Sequence, residues 1–368
     1  MKFYVAMLTV LVVTLSAGQS NAPAVPMFRV DSTWPPALPN KWVLGSVSSF
    51  AVDRQDHVWM LHRPRTVAED KRDNAAPPVI EFDADGRFVR AWGGPGSGYE
   101  WPDNEHGIYV DDRDTIWIGG NAGPGAALIA EPWRSDDMLL SFTSDGRFLK
   151  RFGRREQGQG NADRSNLREP ADVVLYRRTN ELFVADGYGN RRVVVLDADT
   201  LMFKRAWGAF GNIPIDVYPP APAPKPYRQL AAPDPATVTE SNPTQFWIVH
   251  SLKVSTDGLV YVGDRQNRRV QVFGLDGTYR AQFMLTPSNS SANSLALSPD
   301  ADQQLLYVAD VPNSRILFVN RRTLSVVGEF RTDGLAPHHM AVDSKGNIYA
   351  AQLNDGSRKL AFSGTSRR

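Results

Sequence analysis

No cysteine occurs in the 368 residues of this chain. A disulfide framework is therefore excluded, and stability has to come from core burial, with a bound metal as the one other source. A surplus of charge is lacking as well. Lys and Arg number 41 against 40 Asp and Glu, so there is no basic excess of the kind that replaces counterions on nucleic acid. Long apolar runs are missing after the N-terminal stretch, which excludes a membrane span from the rest of the chain. Histidine is scarce, with six in all, and that scarcity makes their placement informative.

The first residues, MKFYVAMLTVLVVTLSAGQSNA, carry a single Lys2, an apolar run from Phe3 to Leu15 and then small residues. This is the form of a secretory signal peptide over residues 1–22, too short in its apolar core for a membrane span. The expectation is a periplasmic or secreted monomer with no membrane span after cleavage. Hydrophobic residues make up 42% of the chain and aromatics 10%, enough for a large core.

The remainder is self-similar. Each unit has an alternating apolar strand, a polar turn, a strand of the type VYVAD, another turn, a strand of the type RVQVF, and a DG turn into an aromatic strand. Four short antiparallel strands per unit predict an all-β propeller. Six units are traced, starting near residues 48, 106, 171, 250, 293 and 338, in a propeller spanning 27–362 with a tail at 363–368. The sixth unit is one strand short. MFRV at Met27 to Val30 is placed to supply it, closing the ring with an N-terminal strand. Three insertions, at 63–77, 121–136 and 212–245, lengthen the loops. They read either as functional covers or as surface linkers.

One slot of the repeat holds Ser48, His106, Ala171, His250, Asn293 and His338 in unit order. Histidine thus falls in units two, four and six, roughly 120° apart in a six-fold ring. Three converging imidazoles with an open fourth position are the ligand set of a catalytic zinc. His57, His62 and His339 lack this regularity, so edge or surface positions are expected for them. His339 should point away from His338 by strand alternation.

A second repeated feature is D-x-x-N-x-R, at Asp264, Asn267 and Arg269 and again at Asp310, Asn313 and Arg315. A turn pinned by a charge-assisted arginine contact accounts for it. Unit three carries one extra residue there, in Asp186-Gly187-Tyr188-Gly189-Asn190-Arg191-Arg192. This suggests a loop that carries Tyr188 toward the channel mouth, although a plain glycine-rich turn reads the same way.

The segments DHVWMLHRP, EHGIYVD, VADGYGNRR, VHSLKVSTDGLVYVGDRQNRRVQVF and PHHMAVDSKGNIYAA resemble the NHL-repeat, six-bladed peptidyl-α-hydroxyglycine α-amidating lyases and their exported bacterial relatives. The resemblance covers nearly the whole chain after residue 22. It implies a zinc ion on His106, His250 and His338, an active-site tyrosine at Tyr188, and substrate-binding arginines at Arg63 and Arg265. It also implies an acidic residue directly after the third histidine as a calcium ligand. This chain has His339 there, which leaves calcium doubtful. The implied activity is cleavage of a carbinolamide carbon–nitrogen bond in a small-molecule or peptide substrate bound in the central channel. The competing reading is a noncatalytic envelope propeller that binds a protein, peptide or glycan. A calcium-dependent lactonase would need convergent oxygen ligands in place of three histidines.

Overall fold

The computed structural model describes residues 24–122, 134–216, 243–332, 334–354 and 356–366. The expected signal peptide lies outside them, as do the centres of the second and third insertions. Among the described residues no helix is long and apolar enough to cross a membrane.

Six four-stranded antiparallel sheets form six blades. Blade one is Ser46–Val52, Val58–Arg63, Val79–Phe82 and Phe88–Trp92, and blade two is Glu105–Val110, Ile116–Gly120, Met138–Phe142 and Phe148–Gly153. Blade three comprises Asp172–Tyr176, Glu181–Asp186, Arg192–Asp197 and Phe203–Trp207; blade four comprises Val249–Val254, Leu259–Asp264, Arg269–Gly274 and Tyr279–Met284. Blade five is built from Ser294–Leu297, Leu305–Asp310, Arg315–Asn320 and Val326–Arg331. The first strand of every blade touches the first strands of both neighbours, so these six line a closed central channel.

Blade six joins the two ends of the chain. His339–Val342, Ile348–Ala351 and Ser357–Ser366 are completed by Val25–Asp31 as the outer strand. Pairing runs from Val25 with Ser366 to Asp31 with Lys359. The N-terminal strand is thus longer than MFRV. The expected tail beyond Phe362 is strand as far as Ser366, because each end of the closure finds its ladder partner in the other. Phe28 anchors the seam, with its ring 5.6 Å from Phe330, 5.9 Å from Phe318 and 6.0 Å from Phe362. Removal of Val25–Asp31 exposes the edge of Ser357–Ser366 and strips this aromatic cluster. The expected result is a fall of about 5 °C or more in the melting temperature, on the scale of a few kcal/mol lost from a chain of this size; calorimetry of the truncated protein checks it.

The repeated tryptophans and glycines explain how blades pack. Trp92 ends blade one and lies against the turn glycine Gly146 of blade two, and Trp207 does the same to Gly277 of blade four. Both glycines have positive φ, and a Cβ on either would stand within 2.8 Å of the indole. Only glycine meets both demands. Trp34, from the Pro-rich stretch, is buried against Phe82 at 4.9 Å and Tyr349 at 5.1 Å. That segment therefore fills the junction of blades six and one in addition to crossing the surface.

The D-x-x-N-x-R motif pins the turn after the second strand in blades four and five, and its longer variant does so in blade three. Asp264 accepts from Asn267 Nδ2 at 2.8 Å, from Arg269 Nε at 2.7 Å and from the Trp247 amide at 2.7 Å. Asp310 and Asp186 repeat the arrangement with Asn313 and Arg315, and with Asn190 and Arg192.

Candidate metal centre

Three of the six inner strands carry a β-bulge at the slot that holds the spaced histidines. In blades one, two and four the ladder slips one residue, leaving Ser48, His106 and His250 unpaired between their neighbours. In blades three, five and six the slot residue bonds through its N–H to a carbonyl whose own residue pairs with the next position. For His338 this is the Ala351 oxygen at 2.8 Å, while His339 pairs with Ala351. A bulge opposes two residues to one and re-aims the extra side chain. The slot is therefore where the strand turns a side chain toward the axis.

The three histidines are held alike. His106 Nδ1 lies 2.9 Å from the Ala171 carbonyl, His250 Nδ1 2.6 Å from that of Asn293, and His338 Nδ1 2.8 Å from that of Ser48. Each acceptor is the slot residue of the following blade. A carbonyl only accepts, so each Nδ1 carries the proton and each Nε2 presents a lone pair toward the axis. His250 Nε2 and His338 Nε2 then face one another at 3.3 Å, two acceptors with no donor between them. A cation resolves that conflict.

Burial pulls the pKa of His106, His250 and His338 well below 6.5, and the neighbouring histidines and arginines add to the effect. Neutral imidazole is the form that binds metal.

His339 departs from expectation. It is buried, and its ring lies 5.2 Å from His106, 4.9 Å from His250 and 5.1 Å from His338. Strand alternation predicts that it points away. His338 stands ahead of the strand, whose first ladder pair is His339 with Ala351, so strand alternation does not relate the two side chains and both rings stay beside the axis. One ligand nitrogen from each of the four histidines lies within 4.8 Å of every other.

Tyr188 is carried by the five-residue turn of blade three between Asp186 and Arg192. A Cβ on Gly187 would stand 2.1 Å from the Val249 carbonyl oxygen, and one on Gly189 would stand 2.4 Å from Arg168 Cγ. The two glycines let the loop press between blades three and four. The Tyr188 hydroxyl reaches His106 Nε2 at 3.0 Å, and Arg265 Nη1 donates to it at 3.0 Å. Since His106 Nε2 bears the lone pair, the tyrosine is the donor in that bond. Arg265 also lies over the ring, 5.3 Å from its centroid.

Arg63 ends the second strand of blade one and is buried, donating Nε to the Glu105 carbonyl at 2.8 Å. That carbonyl belongs to the residue before His106. The Arg63 charge is among the influences on His106, His338 and His339, and the Arg265 charge acts on His250. All six residues singled out in the sequence thus converge on one end of the channel, and His339 adds a seventh.

The chain aligns with NHL repeat-containing protein 3 of Mus musculus at 24% identity over 343 residues, covering 89% of this chain and 82% of the relative. It aligns with a probable peptidyl-α-hydroxyglycine α-amidating lyase of Caenorhabditis elegans at 24% over 242 residues, 62% of this chain and 56% of that protein. It is a homologue of both groups. Peptidyl-glycine α-amidating monooxygenase B of Xenopus laevis matches this NHL-repeat propeller at 31% over 351 residues, 88% of the chain but only 34% of that protein. Among solved structures, the β-propeller domain of Swd1 from Myceliophteria thermophila superposes with a TM-score of 0.51 at 11% identity, covering 87% of this chain and 97% of that one. That likeness concerns the fold alone. No family model matches the chain.

The other two histidines serve the scaffold. His57 Nδ1 bonds Glu81 Oε1 at 2.6 Å and is partly exposed. His62, expected at an edge or surface, is fully buried, with Nδ1 accepting from the Gly45 amide at 3.2 Å and Nε2 3.0 Å from the Pro77 carbonyl. The first insertion folds back over blade one and covers it. Burial lowers the His62 pKa to about 4. The unfolded chain binds a proton here below about pH 6.5 and the fold does not, so this site's contribution to stability is lost as pH falls from about 6.5 toward 4. Between pH 7 and pH 5 the loss is about 2 kcal/mol. Urea unfolding at the two pH values should show a drop larger by about that amount in the wild type than in His62→Gln.

Proposed function

We infer that the protein is a metal-dependent carbon–nitrogen lyase that cleaves a carbinolamide of the peptidyl-α-hydroxyglycine type into an amide and a glyoxylate-like product. The observation that carries this reading is the Tyr188 hydroxyl, 3.0 Å from both His106 Nε2 and Arg265 Nη1 at the rim of the histidine cluster. A proton carrier, a cation and a metal-binding nitrogen meet at one oxygen atom. The relative named as a probable amidating lyase supports the same chemistry.

His106, His250 and His338 would hold the ion, which we take to be zinc. When bound it supplies Lewis acidity toward the substrate hydroxyl. With His106 Nε2 holding the ion, the Tyr188 hydroxyl would be released from that nitrogen and would face the substrate. Its oxygen would accept the proton of the substrate hydroxyl as its own proton passes to the departing amide nitrogen; the carbon–oxygen pair closes to a carbonyl, the carbon–nitrogen bond breaks with its electrons staying on nitrogen, and Tyr188 ends as the neutral phenol. Arg265 holds the phenol oxygen in place throughout. Arg63 binds the substrate carboxylate through its planar guanidinium. Export to the periplasm or the medium belongs to the same reading, because the N-terminal stretch has the form of a signal peptide.

The test is metal analysis of protein purified without a histidine tag, followed by glyoxylate release from α-hydroxyhippurate. One zinc per chain with turnover above buffer is the expected result. Protein with neither metal nor turnover would instead be a binding propeller.

A further inference from the structure

We propose that His339 is a fourth ligand to the ion held by His106, His250 and His338, so that the centre is a four-imidazole shell. The proposal rests on the metal reading of the cluster and not on the lyase chemistry, and the two can fail separately.

The geometry is that of four rings arranged about one point. The six ring-centroid separations are 4.9 Å for His106–His250, 4.8 Å for His106–His338, 5.2 Å for His106–His339, 4.8 Å for His250–His338, 4.9 Å for His250–His339 and 5.1 Å for His338–His339. Six nearly equal edges define a regular tetrahedron. Imidazoles bound to one tetrahedral ion at about 2.0–2.1 Å place their nitrogens about 3.3 Å apart and their ring centres about 5 Å apart. The His250 to His338 nitrogen separation, 3.3 Å, has that value.

His339 is also the member of the cluster whose imidazole lacks an evident task. It is 3% exposed, and its Nε2 is buried without a hydrogen-bond partner, a state that is costly unless something satisfies it. The nearby carboxylate does not. Asp172 is committed to the Ser251 hydroxyl at 2.9 Å, the Leu252 amide at 3.1 Å and Lys253 Nζ at 2.8 Å. A cavity of about 180 Å³ lies on this side of the cluster, lined in part by Asp172, Lys253 and His339. Water there is the competing account of the unpartnered nitrogen.

A closed shell has a chemical consequence. Any substrate oxygen would enter as a fifth ligand or displace an imidazole, and the resting ion would be held more tightly than by three histidines.

X-ray absorption of the zinc-loaded wild-type protein counts the imidazoles directly, without any variant. Four are expected. In His339→Asn and His339→Gln the count should fall to three at an unchanged one ion per chain. Affinity in chelator competition should drop at least about 100-fold, the upper range found even for partners that only orient a ligand. Three imidazoles in the wild type, or an affinity unchanged in both folded variants, overturns the proposal while leaving the three-histidine centre standing. A second ion per chain that disappears in the variants overturns it as well. Wild-type protein that holds no ion overturns both.

Discussion

His250→Ala is expected to give a folded propeller that no longer retains a metal ion. The histidine sits on a bulge of the inner strand of blade four, is fully buried, and faces His338 at 3.3 Å. Truncation removes a direct ligand, and with it more than the roughly 10–100-fold in affinity that loss of an outer partner costs. Metal content should fall from one ion per chain to below about a tenth. Stability should fall with it, because an ion present at about 1,000 times its Kd stabilises the fold by about 4 kcal/mol. That corresponds to a melting temperature lower by about 6 °C. The same substitution at His57, which pairs with Glu81 away from the channel, should change neither quantity. Full metal content in His250→Ala and also in the His250→Ala/His339→Asn double variant would remove the basis of the centre, whereas an ion kept by the single variant and lost in the double one is held by the remaining three imidazoles.

Tyr188→Phe is expected to keep the metal and lose the reaction. The ring remains to pack 4.9 Å from His106 and beneath Arg265, so the loop and the ligands stay in place. Only the oxygen that exchanges the proton is gone. A positioned acid–base group contributes typically about 10²–10⁴-fold, and kcat for α-hydroxyhippurate should fall by that factor at unchanged zinc content. Turnover within a fewfold of wild type would exclude Tyr188 as the proton carrier.

Much of this architecture is legible in the residues. Four strands per repeat, six repeats and a final unit lacking a strand lead to the propeller and to its closure by the N-terminus. The extent of the closure is another matter. Pairing continues to Val25 and Ser366 because ladder bonds at one chain end depend on residues some 340 positions away, which no local pattern reports. Tyr188 was marked by a single extra residue between two glycines, and its use depends on the approach of Gly187 to Val249. His62 looked peripheral on its strand. It is buried because the insertion after it folds back and lays Pro77 over it.

His339 shows where sequence reasoning stops. Alternation along a strand sends it away from its neighbour, and that rule holds only while the ladder is regular. The slot shared by six repeats is legible in the residues, and the start of the ladder one position after His338 is not. The slot's meaning, a position where the strand is re-aimed at the axis, required the pairing itself. By itself the sequence determined the blade count, the spacing of His106, His250 and His338, and the closure of the ring, since repetition and strand period are properties of the chain. Tertiary structure alone decided that a fourth imidazole joins them and that Tyr188, Arg265 and Arg63 meet at their rim. These are contacts between blades, fixed by the bulges and by the close packing of six sheets around one axis.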